Sequence, residues 1–138
     1  MRNKLIQVLE PLINDGATDF YAGGAIGFDT LAASTVIELR QQYPQIKLHL
    51  ILPCCKAEQT AKWTAAQVAE YDSILSVADS VEYISEHYYN GCMKARNARL
   101  VELADCCICY YDNKKSASGT GQTIRMAVKE GLTIQNLL

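Results

Sequence analysis

The chain opens on a helical rhythm. Leu5, Ile6, Val8, Leu9, Leu12 and Ile13 recur at the spacing of a helix with one apolar face, and Asn14-Asp15-Gly16 supplies the stop. The period then shortens: 20–22 reads as a short buried strand, and 29–42 as a helix with Leu31, Val36, Leu39 and its alanines inward, ended by Tyr43-Pro44. Residues 46–52 are almost wholly apolar, as in a strand covered on both faces. Residues 53–64 read as a polar loop carrying Lys56, Glu58, Lys62 and Trp63, long enough to fold over a ligand. The pattern continues as a helix over 65–78, a strand over 81–84, a loop over 85–91 with His87, Tyr88 and Tyr89, and a helix over 92–104. An apolar strand over 106–111, a polar loop over 112–118, a helix over 120–130 closed by Gly131 and a strand over 133–137 complete the chain. Strands and helices alternating on short connections predict an α/β fold with a parallel sheet, helices on both faces and ligands at the carboxyl edge.

At 138 residues, 49% of them apolar, the chain predicts one domain over 1–138 with a real core. The formal net charge of -2 comes from interspersed charges, so nucleic acid is not the expected partner. No apolar run is long enough to span a bilayer and the first residues lack a signal-peptide pattern, so the expectation is a cytoplasmic protein with no membrane partner. The six cysteines are expected to be reduced thiols. Cys106 and Cys109, three apart on a strand, point to opposite faces, which frustrates shared metal ligation. Cys54 and Cys55 follow Pro53 without a nearby His or acidic partner in sequence and carry no nucleophile signal. Neither a metal nor a cofactor is expected.

The candidate chemistry lies in two glycine loops. Phe20-Tyr-Ala-Gly-Gly-Ala-Ile-Gly-Phe-Asp-Thr-Leu31 runs from a strand through Gly23, Gly24 and Gly27 into a helix. Gly23 and Gly24 permit positive φ and close approach of a phosphate, and Gly27 removes a Cβ where helix meets strand. The helix start offers unpaired N–H groups and a positive dipole end, which favour an anion. The second loop, Ser116-Ala-Ser-Gly-Thr-Gly-Gln-Thr123 with Lys114 and Lys115 before it, opens a helix in the same way. As a pair at one sheet edge the loops point to a phosphate-bearing ligand.

Named phosphate motifs fail. A Walker loop aligned on Gly121 and Thr123 has Ser116 for its first glycine and Gln122 for its lysine. The dinucleotide fingerprint fits as Ala22-x-Gly24-x-x-Gly27, but the next strand ends in Leu52-Pro53-Cys54, with no acid for a ribose hydroxyl. Asp29 is either a first-turn acid of its helix or a carboxylate for a ribose or base. Arg96 and Asn97 extend the apolar arc of Leu100, Val101 and Ala104 toward the carboxyl edge. Arg96 is expected to hold ligand phosphate, with an internal ion pair as the alternative, and on the first reading Arg96→Ala would leave the fold intact.

Taken together, Ala22-Gly-Gly-Ala-Ile-Gly-Phe-Asp29, the Pro53 and Trp63 segment, Met93-Lys-Ala-Arg-Asn97, Tyr111-Asp112 and Ser118-Gly-Thr-Gly-Gln-Thr123 resemble the YpsA-like branch of the SLOG superfamily, which includes LOG phosphoribohydrolases and the DNA-processing protein DprA. The resemblance implies a Rossmann-like three-layer αβα sandwich with a mostly parallel sheet, here lacking the family's first strand. The strand and its Gly-His-Arg-type loop would lie upstream, or be replaced by rearrangement or by a neighbouring subunit, which leaves a homo-oligomer open. The ligand-binding set expected on this basis is Gly23, Gly24, Gly27, Asp29, Arg96, Asn97, Ser118, Gly119, Thr120 and Gly121. Against the LOG enzymes, Arg96 takes the place of the active-site arginine and Gly119-Thr120 that of their Gly-Thr pair, but the catalytic glutamate is Thr123 here, so no catalytic residue is assigned. The expected function is a binding or sensor domain for a nucleotide or a nucleotide derivative such as an ADP-ribose type molecule. Alternatives are a hydrolase of nucleotide N-glycosidic or phosphate bonds and a DprA-like DNA-interaction protein.

Overall fold

In the computed structural model, residues 1–112 and 119–138 are described; Lys114, Lys115, Ser116 and Ser118 lie outside them. The order of elements is α1 (Arg2–Asn14), β1 (Asp19–Ala22), α2 (Phe28–Gln42), β2 (Lys47–Leu52), α3 (Lys56–Gln59), α4 (Ala65–Val77), β3 (Ser80–Tyr83), α5 (Cys92–Leu103), β4 (Cys106–Cys109), α6 (Gly119–Lys129) and β5 (Thr133–Asn136). The alternation expected from the hydrophobic pattern is present. One element was not expected, the single helical turn α3 inside the 53–64 segment.

All pairings are parallel. β2 lies between β1 and β3, with Ala22 opposite Leu50 and Leu52 opposite Tyr83. Among the described residues β4 pairs only with β5, with Cys109 opposite Asn136. The single sheet expected from the sequence is therefore divided into three strands and two. Among the described residues no strand precedes α1 and none joins β1 to β4. β4 stops at Cys109 rather than Tyr111, because Asn136 takes over the pairing with its side chain: Tyr111 N–H donates to its Oδ1 at 3.0 Å, and its Nδ2 donates to Tyr111 O at 2.8 Å.

The core follows the two-residue period of β2. Leu48, Leu50 and Leu52 are buried with Ala33, Val36 and Leu39 of α2, Tyr71 and Ile74 of α4, and Leu5, Leu9 and Ile13 of α1. α5 packs on both β1 and β2, completing a Rossmann-like three-layer arrangement of helices around parallel strands. α4 starts on a capping box in which Thr64 Oγ1 accepts from Gln67 N–H and the Gln67 side chain accepts from Thr64 N–H. All six cysteines are free thiols, as expected.

Asp79 fastens the amino end of β2. Its Oδ2 accepts from Leu48 N–H at 2.8 Å and from Arg40 Nη1 at 2.7 Å, and its own N–H donates to Leu48 O at 2.8 Å. The Leu48 amide, with help from Arg40, holds the Asp79 carboxyl below its ordinary 3.8. Asp79→Ala should therefore cost about 1–2 kcal/mol near neutral pH by urea titration, the size of a partly exposed charge-assisted hydrogen bond. Because the folded-state pKa is depressed, this contribution is present above 3.8 and is lost as pH falls through the lowered value, so the two proteins should converge in acid.

Candidate functional site

β1 ends at Ala22, and the next five residues turn the chain into α2. Gly24 and Gly27 take φ of +73° and +87°, in the left-handed region where glycine is favoured, but Gly23 does not. A Cβ on Gly24 would lie 2.3 Å from Leu52 Cδ2, so packing against β2 by itself requires glycine there. Gly27 meets nothing within 4 Å and is needed only for its φ, not for helix-strand contact. Gly23 is the glycine that faces the chemistry: a Cβ there would lie 2.8 Å from Arg96 Nη1 and 2.9 Å from Asp29 Oδ2.

Side chains hold the loop by its carbonyls. Arg96 Nη1 donates to Gly23 O, Gln59 Nε2 to Gly24 O at 3.2 Å, and Thr30 Oγ1 to Ala25 O at 2.9 Å. Asp29 Oδ2 accepts from Ala25 N–H at 3.2 Å. No side chain caps α2, so its first-turn N–H groups keep the orientation of a helix start that can receive an anion.

Arg96 comes from α5 and is only 6% exposed. Its Nε donates to Asn97 Oδ1 at 2.7 Å, and Nη2 faces Met93 Sδ at 3.9 Å, a weak acceptor. Burial lowers the Arg96 pKa, opposed by the nearby Asp29 charge. Burial likewise raises the Asp29 pKa, opposed by Arg96 and by the Ala25 amide. The two groups thus share a desolvated place beside Gly23 without a direct ion pair. Arg96 is a structural clasp of the loop as well as a charged donor beside it.

A cleft of about 940 Å³ runs between β1 and β4. Gly23, Asp29, Arg96, Asn97, Gly119 and Thr120 all line it, and Thr123 stands among them. The first glycine loop and the start of α6, which the sequence paired, thus line one space. Gly24 and Gly27 are not in its walls, and neither is Gly121, which is buried where a Cβ would lie 2.8 Å from Tyr111 Oη. Elsewhere the walls are largely aliphatic, with Leu5, Leu9, Leu100 and Ile108 among them. Thr123 Oγ1 donates to Gly119 O at 3.0 Å, a local bond within α6.

The segment after β2 does not serve as a free flap. Trp63 packs edge-on against Tyr71 with centroids 5.6 Å apart, on the core. The residue of this segment that reaches the glycine loop is Gln59, which sequence reasoning passed over. Its Nε2 is bonded to Gly24, while Oε1 is buried with no partner in the structure. Tyr71 Oη is the other such atom among the described residues, and burial pushes its pKa up to about 12. Tyr71 lines a cavity of about 10 Å³ with Gly24, Asp29 and Thr30, the size of a single water.

A second correction concerns Cys55, which does have partners. Its thiol donates to Glu58 Oε2 at 3.0 Å, and His87 Nδ1–H donates to the same oxygen at 2.9 Å. Glu58 lies one helical turn along in sequence, within the spacing that could have signalled it; His87 comes from the loop after β3 and gave no local signal. The strand cysteines divide: burial raises the Cys106 thiol, while the hydrogen bond with Cys107 lowers that of Cys109. The hydrogen bond Cys107 shares with Cys109, together with burial, pushes the Cys107 thiol up.

No helix among the described residues is long and apolar enough to cross a membrane. A family model described as the YspA SLOG family, YpsA, matches residues 1–135. A UPF0398 protein of Halalkalibacterium halodurans is 33% identical over 114 residues, covering 81% of this chain and 59% of the relative. One from Bacillus cereus strain G9842 is 29% identical over 120 residues, covering 86% and 64%. Another, from Bacillus thuringiensis strain Al Hakam, is 29% identical over 138 residues, covering 99% and 73%. The chain thus spans about three fifths of the length of the first two relatives. The match over residues 1–135, nearly the whole chain, means that the chain belongs to the YpsA SLOG family.

Proposed function

We propose that this chain is a binding or sensor domain for a nucleotide or nucleotide-derived ligand, held by its phosphate at the polar part of the cleft between β1 and β4. One observation carries the reading: the starts of α2 and α6, each led by a glycine, line the same cleft as the buried Arg96. Helix N-terminal amides and a guanidinium are the groups that recognise phosphate, and here they converge from three separate elements. Asn97 and Asp29 supply polar contacts for a ribose or base, and the aliphatic walls accept a flat apolar face.

Thr123 favours binding over turnover. Where the LOG enzymes place a carboxylate, this chain has a hydroxyl engaged with Gly119 O. Asp29 keeps the hydrolase reading as the runner-up, since it is a carboxylate in the wall of the same cleft whose pKa burial raises.

A thermal-shift screen over nucleoside mono- and diphosphates and ADP-ribose, followed by chromatography of every hit, separates these readings. The expected result is a raised melting temperature for at least one phosphorylated compound, none for the free nucleosides, and no released base or phosphate. Release of base or phosphate would instead favour the hydrolase. Equal shifts with nucleosides would remove the phosphate-centred site.

A further inference from the structure

Outside the cleft, one cluster joins three metal-ligating side chains of different chemistry. We propose that Cys55, Glu58 and His87 form a zinc site with three protein ligands and a coordination position left for water. Their ligand atoms, Cys55 Sγ, a Glu58 carboxylate oxygen and a His87 ring nitrogen, all lie within 4.8 Å of one another.

The backbone brings them together before any ion does. Cys55 and Glu58 sit one turn apart at the start of α3, and Cys55 N–H donates to Glu86 O at 3.1 Å, tying this turn to the loop that carries His87. The cluster is held by Glu58 Oε2, which accepts from the Cys55 thiol at 3.0 Å and from His87 at 2.9 Å. In a tetrahedral zinc site with ordinary Zn–S, Zn–N and Zn–O bonds, neighbouring ligand atoms stand about 3.4–3.6 Å apart. The two pairs through Glu58 Oε2 need to open by only about half an ångström as the thiol proton leaves and the metal replaces the two hydrogen bonds, while Cys55 Sγ and the His87 nitrogen, already within 4.8 Å of each other, settle to the same spacing. His87 is well exposed, its side chain at 74%, so that adjustment meets little resistance.

The donor set selects the metal. A thiolate and an imidazole disfavour calcium and magnesium, which take oxygen, and suit zinc, while one carboxylate, itself a zinc ligand type, completes a set of three. Zinc here links the segment after β2 to the loop after β3. It thereby fixes α3, whose last residue, Gln59, holds Gly24 of the glycine loop. The site makes no use of the cleft, so it stands independently of the nucleotide proposal.

The test uses the full chain stripped with a chelator and kept reduced, titrated with zinc by calorimetry and with cobalt(II) by absorption. One equivalent of zinc is expected, and the cobalt form should show a thiolate charge-transfer band with the visible bands of a tetrahedral site. Cys55→Ser should abolish the charge-transfer band and weaken zinc by more than about 100-fold, since even partners one shell further out are worth 10–100-fold. His87→Ala and Glu58→Gln, both on exposed side chains, should each weaken zinc by at least about tenfold with unchanged circular dichroism. Zinc uptake that is absent, that survives Cys55→Ser, or that disappears only when Cys106, Cys107 and Cys109 are replaced would overturn the proposal.

Discussion

Arg96→Ala should destabilise the protein by about 2–4 kcal/mol at neutral pH, in addition to removing phosphate recognition. The sequence suggested that this change would spare the fold, but Arg96 is buried and holds Gly23 O, Asn97 Oδ1 and the field at Asp29 together. Removing it leaves a loop carbonyl without its donor and a desolvated carboxylate without its compensating charge. The pH dependence has a definite sign. Burial already raises the folded-state pKa of Asp29 above 3.8, so ionised Asp29 opposes folding once pH exceeds that value, and loss of Arg96 raises the pKa further. The deficit of Arg96→Ala should therefore be largest at neutral pH and shrink as pH falls toward 3.8. Urea titrations across that range check it, and the double variant with Asp29→Asn should lose less than the two single losses added together. Arg96→Lys, which keeps the charge and loses the fork, should fold and bind phosphate more weakly.

Gly24→Val should be the most damaging single change in the glycine loop, costing about 3–6 kcal/mol. Two penalties coincide there. A β-branched residue is strained at φ +73°, and its Cβ would lie 2.3 Å from Leu52 Cδ2, in a side chain with no exposed surface to retreat into. A loss of that size is a large part of a typical domain's stability, so soluble expression should fall and the cooperative melt should weaken or vanish. Gly27→Ala makes the control: its φ is also positive, but nothing lies within 4 Å of the new Cβ, so only about 1–2 kcal/mol should be lost. Comparable melting temperatures for the two variants would show that packing against Leu52 does not matter.

Much of this architecture was readable in the chain because it rests on local periodicity. The almost wholly apolar run over 46–52 and the glycines flanking α2 and α6 announce a parallel α/β fold, and Gly23 and the start of α6 do line one cleft. Which glycine does what was not readable, since Gly23 and Gly24 are neighbours in sequence yet face Arg96 and Leu52 respectively. Those partners come from β2 and α5, far along the chain. The same limit hid Gln59 and the meeting of Cys55 with His87, contacts set by how the loop after β2 lies against its neighbours. The division into two sheets also depends on long-range pairing, which residue patterns within single strands do not encode.

The claim that phosphate is bound where α2, α5 and α6 meet is tested most directly by amide chemical-shift mapping during titration with a nucleotide identified by thermal shift. The largest changes should fall on the amides of Gly23 to Thr30, Met93 to Asn97 and Gly119 to Thr123, together with the Arg96 side-chain resonances, and should saturate with one ligand per chain. Saturating shifts confined to other surfaces, or no shift at these amides with any phosphorylated nucleotide, would contradict the account.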